Sequence, residues 1–337
     1  MSTATTRAAR PAISHVDLLV VGAGPAGLYA AYCAGHRGLR TAVIDALPEI
    51  GGQVVGMYPE KTILDIAGYP AVRGRDLVNA LAAQAETYGP EFWLEEEVRG
   101  LTSAAGTGEV VLTTSAGRTI HAGAVVLAGG IGTFTPRPFT PGLDWLGRGV
   151  SYFVPDLTVH DDKDVVIIGG GDSAFDWALH LEPIARSVTM VHRRDRFRAH
   201  KGSVDRVRDS NVRMLVNAEV TAVRGDRWVS TAEISVAGED RPLSLPAQSI
   251  VAALGFTADL GAMNGWGLGL VNRRIPVTTR METAIPRVYA AGDITDYPGK
   301  VRLISVGFGE AATAVNNAAV LLDPGLDLFP GHSTEGD

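Results

Sequence analysis

Two stretches of the chain share one pattern: an apolar run of β character ends in closely spaced glycines and passes directly into an apolar run of helical character. The first comprises residues 17–21, the turn Gly22-Ala-Gly24-Pro25-Ala26-Gly27, and residues 28–35. The second comprises residues 164–168, the turn Gly169-Gly-Gly171-Asp172-Ser173-Ala174, and a helix over 173–181. Short, uninterrupted apolar runs before a helix predict strands covered on both faces, as in a parallel sheet. Further apolar runs at 41–44 and 187–191 each complete a strand–helix–strand unit. Residues 109–114 and 119–127, closing on Ala128-Gly129-Gly130, return to the first unit, and residues 249–254 with Gly255 return to the second. A Pro-rich stretch at 135–141 and a segment at 256–259 mark two crossovers. The expected fold is therefore α/β, with two Rossmann-like dinucleotide-binding domains of the three-layer ββα type, one inserted into the other.

Glycines at such a turn let the backbone bend sharply and let a pyrophosphate approach the N–H groups of the helix N-terminus. Asp45 follows the first turn by about twenty residues, at the end of the next strand, where an acid hydrogen-bonds a ribose diol. That favours the unphosphorylated ribose of FAD or NAD. At the equivalent place after the second turn stand His192, Arg193 and Arg194, with Arg198 close by. Guanidinium groups bind phosphate in a forked, charge-assisted geometry, so this end reads as a 2′-phosphate pocket and selects NADPH over NADH. Asp195, Asp205 and Asp209 interrupt the basic run, and a solvated basic face is the alternative. The expected division is an FAD domain over 13–133 and 256–337, an NADPH domain over 134–255, and a flexible tail over 1–12. In the returning segment, a strand over 288–291 ends in Gly292-Asp293 and is followed by a helical run over 307–322. Asp293 can accept a hydrogen bond from a ribityl chain or sit near the pyrophosphate. The positive end of the following helix would point at the flavin N1/O2 edge, where negative charge gathers on reduction. Asp293 could equally cap a helix or a turn.

Composition narrows the partners. The chain has 337 residues, 46% of them hydrophobic and 20% charged, enough for two domains with sizeable cores. A net charge of −7 argues against nucleic acid as the general partner. Residues 18–35 carry no charge, but their glycines and Pro25 belong to a strand-to-helix turn, so no membrane segment is read there. Residues 1–14 lack the apolar stretch of a signal peptide, and a cytoplasmic location follows by default. Cys33 is the only cysteine; it lies on the apolar helix after the first turn, where a packing role is expected. No cysteine framework could hold an iron–sulfur cluster, and no metal site is assigned.

The two glycine turns at this spacing, the inserted domain and Ala-Ala-Gly292-Asp293-Ile resemble the low-molecular-weight thioredoxin reductase superfamily. Within it, several further segments resemble the thioredoxin-reductase-like ferredoxin:NADP reductases. They include Gly51-Gly-Gln53-Val-Val-Gly-Met-Tyr58-Pro-Glu-Lys61, Asp65-Ile-Ala-Gly-Tyr-Pro70 and Gly171-Asp-Ser-Ala-Phe-Asp-Trp177-Ala-Leu. The same holds for Leu181-Glu-Pro183, the stretch from His192 to His200, Asn264-Gly-Trp-Gly-Leu268, Gly307-Phe-Gly-Glu310 and Thr313-Ala-Val-Asn-Asn317. The resemblance runs nearly end to end. A thioredoxin reductase passes electrons through a CxxC dithiol shortly before its second glycine turn; here that region reads Ser151-Tyr-Phe-Val-Pro-Asp156, which excludes dithiol chemistry.

The resemblance implies an FAD enzyme that exchanges hydride with NADPH and single electrons with a ferredoxin or flavodoxin, working as a homodimer. It implies that Tyr58 stacks on one face of the flavin ring. It also implies that His332, in the C-terminal Gly331-His332-Ser333-Thr334, covers the other face from the partner subunit. Gln53, Val98, Phe134 and Thr334 also join the FAD site by this resemblance. The tail stops soon after Ser333, without the further extension of some relatives, so a second C-terminal shield is not expected. A histidine stacked there would occupy the face that nicotinamide needs, so the tail or the inserted domain must move before hydride transfer. The basic surface after His192 offers a docking patch for an acidic partner. A diaphorase or quinone reductase, or a flavin-binding redox sensor, are the alternatives.

Overall fold

The apolar run that leads into Gly22 forms the strand Ile13–Val21. It begins four residues before the apolar run proper because residues 13–16 pair in register with residues 119–122. Its side chains alternate across the sheet, Leu18 and Val20 on one face and Leu19 and Val21 on the other, and all four are buried. Burial on both faces requires a layer on each side. One layer is a pair of Ala-rich helices, Pro25–His36 and Ile304–Leu322, packed through Ala30, Ala34, Ala311, Ala314 and Ala318. The other is a β-meander of Val98–Ser103, Val110–Thr114 and the first half of Thr119–Leu127, which contributes Val98, Leu101, Val110 and Leu112.

This structure, a computed structural model, describes residues 13–103 and 108–331, and the expected tail over 1–12 lies outside them. The described chain divides into two compact units. The first contains residues up to Val55, Ile63–Thr133 and Asp259 onward. Its parallel strands run in the order Glu91–Trp93, Thr41–Ile44, Ile13–Val21, Thr119–Leu127, Val288–Ala290. The last strand is supplied by the returning segment.

The second unit contains Phe134–Ala258 and the short piece Gly56–Thr62. Its five strands are all parallel, in the order Val150–Ser151, Ser249–Ala252, Asp164–Ile168, Ser187–His192, Arg213–Val216. The helices Asp172–Leu181 and Lys201–Arg208 cover one face through Phe175, Leu181, Val204 and Val207. An antiparallel meander of Ala218–Gly225, Val229–Val236 and Leu243–Pro246 covers the other. Both units are thus helix–parallel sheet–meander sandwiches, the three-layer ββα arrangement expected from the sequence. The segment at 256–259, expected as a bare crossover, is the strand Phe256–Asp259, and it pairs with Thr133–Pro136. Among the described residues no helix is long and apolar enough to cross a membrane.

Candidate active site: two glycine turns and a clamped aspartate

In the first unit Gly22 adopts φ +111°, and a Cβ there would lie 2.5 Å from the carbonyl oxygen of Ala128. A Cβ on Gly27 would lie 1.8 Å from the carbonyl oxygen of Gly22, so the helix can start this close to the strand only with glycine. Pro25 opens the helix at its first position, and Gly24 caps it without any side-chain acceptor. The first-turn N–H groups, Ala26 and Gly27 among them, therefore receive no acceptor from a capping side chain and suit an anion. Asp45 leaves the end of its strand and closes on this turn. Its Oδ2 accepts from the Ala23 N–H at 2.6 Å and its Oδ1 from the Leu47 N–H at 2.9 Å. Burial raises the Asp45 carboxyl above the usual range, and these backbone N–H groups partly oppose the shift. A glycine cradle, an uncapped helix end and an acid beside them fit the pyrophosphate and ribose of a dinucleotide.

Gln53 lies alongside: a Cβ on Gly130 would come 2.5 Å from its Nε2, so Gln53 reaches the end of the strand beside the turn. Val98 spends its side chain in the core, which leaves only its backbone for a ligand. Asp293 stands in the 3₁₀ turn Gly292–Ile294, whose cap is Ala291; it caps no helix or turn among the described residues. The turn itself is clamped from below by Glu310, a charged residue in the middle of an apolar helix. Glu310 Oε2 accepts from the Gly292 N–H at 2.7 Å and from Thr295 Oγ1 at 3.3 Å. Its Oε1 accepts from the Tyr297 hydroxyl at 2.6 Å and is ion-paired with Lys300, which also donates to the Gly292 carbonyl at 3.1 Å. Both charged side chains are almost fully buried, at 2% and 4% exposure. Burial, then the hydrogen bond to Glu310, pushes the Tyr297 hydroxyl up to about 12.

In the second unit the turn is held differently. A Cβ on Gly169 would meet the Ala253 carbonyl oxygen at 2.4 Å and the Ala174 Cβ at 3.0 Å, so helix and strand again pack through glycine. The space beside Gly171, the helix cap, is open. The His192 ring covers Gly170, where a Cβ would lie 2.4 Å from it. Burial is the main cause that holds His192 below the usual histidine range, and Arg193 and Arg194 add to it. The loop that follows is tied back to the turn. The Arg198 N–H donates to the Gly170 carbonyl at 2.8 Å, and the His200 N–H donates to Asp172 Oδ1 at 2.8 Å. Arg193, Arg194 and Arg198 are exposed, and their side chains have no ion-pair or hydrogen-bond partner among the described residues. Ser173 is exposed at the first helical turn.

Ser173 also borders a cleft of the second unit, together with Met57, Tyr58, Lys61, Phe153, Asp176, Trp177, His180 and Phe256. Phe134 makes ring contacts to two of the lining residues, Phe153 and Phe256, at 6.2 and 6.1 Å. Lys61 and Asp176 form an ion pair that fixes the 56–62 segment against the helix. The His180 Nδ1–H donates to the Asp176 carbonyl at 2.7 Å, which leaves its Nε2 as an acceptor. Sequence reasoning quoted Lys61, Asp176 and Glu310 within family-like segments but foresaw neither the Lys61–Asp176 nor the Glu310–Lys300 pair, and missed His180; the one local signal was a glutamate inside an Ala-rich helix. His332 and Thr334 lie outside the described residues. Cys33 is buried, and burial pushes its thiol up to about 12, so it is chemically inert.

Two dinucleotide turns on two three-layer units define a class of flavin- and nicotinamide-dependent oxidoreductases. Residues 16–318 match the family of pyridine nucleotide-disulphide oxidoreductases, and the chain belongs to it. Within that class it belongs with the ferredoxin–NADP reductases. It is 58% identical over 323 residues to the ferredoxin–NADP reductase of Nocardioides sp., covering 95% of this chain and 97% of that one. It is 57% identical over 325 residues to that of Saccharopolyspora erythraea, covering 96% and 98%. Among solved structures it shares its fold with T. acidophilum thioredoxin reductase, at 24% identity and a TM-score of 0.74, covering 90% of this chain and 98% of that one.

Proposed function

We propose that this chain is an FAD-dependent ferredoxin–NADP oxidoreductase. FAD is held by the Gly22–Gly27 turn, Asp45, Gln53, the Val98 backbone and the Asp293 turn of the discontinuous first domain. NADPH is held by the Gly169–Ala174 turn, His192, Arg193, Arg194 and Arg198 of the second. Bound FAD supplies the interconversion between two-electron hydride chemistry with the nicotinamide and one-electron chemistry with an iron–sulfur partner. The residues bind and orient. The helix N-termini receive the phosphates, Arg193 and Arg194 select the 2′-phosphate, and the aromatic cleft beside Ser173 receives the flat nicotinamide ring. Tyr58 stacks on one face of the flavin, and the segment bearing His332 and Thr334 covers the other from the second copy of a cytoplasmic homodimer. The observation that carries the reading is the single, buried Cys33 in a chain with both dinucleotide turns intact: electrons have no dithiol to leave through and must pass to an external carrier. The relatives at 57–58% identity, named ferredoxin–NADP reductases, support the same partner. An acidic ferredoxin would dock on the basic surface around Lys201, Arg206 and Arg208.

The test is turnover of the purified yellow protein. Ferredoxin-dependent reduction of cytochrome c, much faster with NADPH than with NADH and slowed by added salt, is expected. Ferricyanide or quinone reduction with no ferredoxin dependence would replace the reading with a diaphorase. Ferredoxin affinity unchanged by salt would refute the docking surface.

A further inference from the structure

His15, Glu109 and His121 converge at the opposite end of the first sheet from the glycine turn. We propose that they form a binding site for a borderline divalent transition-metal cation of the Zn²⁺, Ni²⁺ or Cu²⁺ kind. His15 and His121 are paired partners in the parallel register of Ile13–Val21 and Thr119–Leu127, which puts both imidazoles on one face at neighbouring positions. Their rings stack with centroids 4.8 Å apart and an interplanar angle of 22°. His121 pairs with Val111 across the meander, and Glu109, two residues before, occupies the diagonal position on the same face. Its Oε2 lies 3.2 Å from His121 Nδ1. The ligand atoms of all three residues lie within 4.8 Å of one another.

Two imidazoles and one carboxylate are a ligand set for zinc and its neighbours; magnesium and calcium prefer oxygen alone. Bond lengths of about 2.0–2.2 Å require ligand atoms about 3.3–3.5 Å apart in a tetrahedron. The Glu109–His121 pair already stands at 3.2 Å, so only His15 has to close in, and its side chain is exposed, held only by the stack on His121. The backbone needs no movement, because Val16, Val110 and Ala122, on the other face of the same strands, are buried in the core. Three protein ligands leave a fourth position open to water. A bound ion would staple the first strand to the meander. From His15 to the turn at Gly22 the strand covers about 20 Å, so this site is separate from the dinucleotide turn. The ligands are separated in sequence by 94 and 12 residues, which is why no motif betrays them.

The untagged, FAD-loaded protein would be titrated with Zn²⁺ by calorimetry and with Cu²⁺ by electron paramagnetic resonance. One equivalent bound with micromolar affinity is expected, with hyperfine structure from two nitrogens. Affinity should fall at least tenfold in His15→Ala and in Glu109→Gln, while NADPH–ferricyanide activity is unchanged. The thermal midpoint should rise by about 4 °C at a hundredfold excess over the dissociation constant, in the wild type only. Equal binding by wild type and both variants would show adventitious ion only and overturn the proposal. So would no binding tighter than about 100 μM.

Discussion

Replacing Glu310 with alanine tests whether the Asp293 turn depends on the carboxylate beneath it. The substitution removes the acceptor for the Gly292 N–H, Thr295 and Tyr297, and strands the Lys300 ammonium at 2% exposure. Removing one partner of a buried pair costs about 3–5 kcal/mol because the other charge is left uncompensated. For a protein of 337 residues each kcal/mol lowers the midpoint by about 1.4 °C, so a fall of about 6 °C is expected in Glu310→Ala. The double variant Glu310→Leu/Lys300→Met removes both charges and should recover most of that loss, since apolar replacement of a buried pair is often close to neutral. Stability and cofactor binding then separate. In both variants the Gly292 N–H still lacks its acceptor, so FAD affinity should stay about tenfold weaker even where the midpoint recovers. Thermal unfolding followed by FAD fluorescence, with FAD binding to the deflavinated protein, reads both quantities. A single variant within 2 °C of wild type, or a double variant less stable than the single, would refute the reasoning.

Arg193→Ala and Arg194→Ala should each raise the KM for NADPH about tenfold, and together about a hundredfold, with NADH turnover changed less than threefold. The midpoint should not move, because neither side chain is paired among the described residues; equal effects on both coenzymes would place the 2′-phosphate elsewhere. His160 is buried and bonded to Ser249 through Nδ1 at 2.9 Å. Burial chiefly, then Lys163, lowers its pKa from 6.5 to about 4. The unfolded chain therefore takes up the proton more readily. Stability from this site is fully present above pH 6.5, declines as pH falls toward 4, and is worth about 3 kcal/mol at most. Urea midpoints at pH 7 and pH 5 should show a smaller drop in His160→Gln than in wild type. Equal drops would assign the acid sensitivity to other groups.

What the sequence discloses well is what is local. Residues 17–27 and 164–174 carry their strand, turn and helix signals within one short window, so both units and their cofactor ends are legible. The helices begin at Pro25, Asp172 and Ile304, earlier than the apolar runs suggest, because a helix's first turn is set by its capping geometry and needs no apolar side chain. Contacts that close across the fold leave no such trace. Lys61 meets Asp176, Lys300 meets Glu310 and His15 meets His121 only after strands and helices have been ordered. The segment at 56–62, read from sequence as part of the first domain, groups with the second unit, where Lys61 pairs with Asp176.

The two turns look alike in sequence but are supported by different groups, and under the proposed function that difference separates the two ribose sites. At the first turn the residue proposed to bind the ribose is also a structural one: Asp45 accepts from Ala23 through one oxygen and from Leu47 through the other, so it fixes the turn. At the second, support comes from the His192 ring over Gly170, the Arg198 N–H and Asp172. Arg193 and Arg194 are exposed and have no side-chain partner among the described residues, as the proposed phosphate site requires. On the proposed function, substitutions at Arg193 or Arg194 should change coenzyme preference without disturbing the turn, whereas a substitution at Asp45 should alter FAD affinity and thermal stability together.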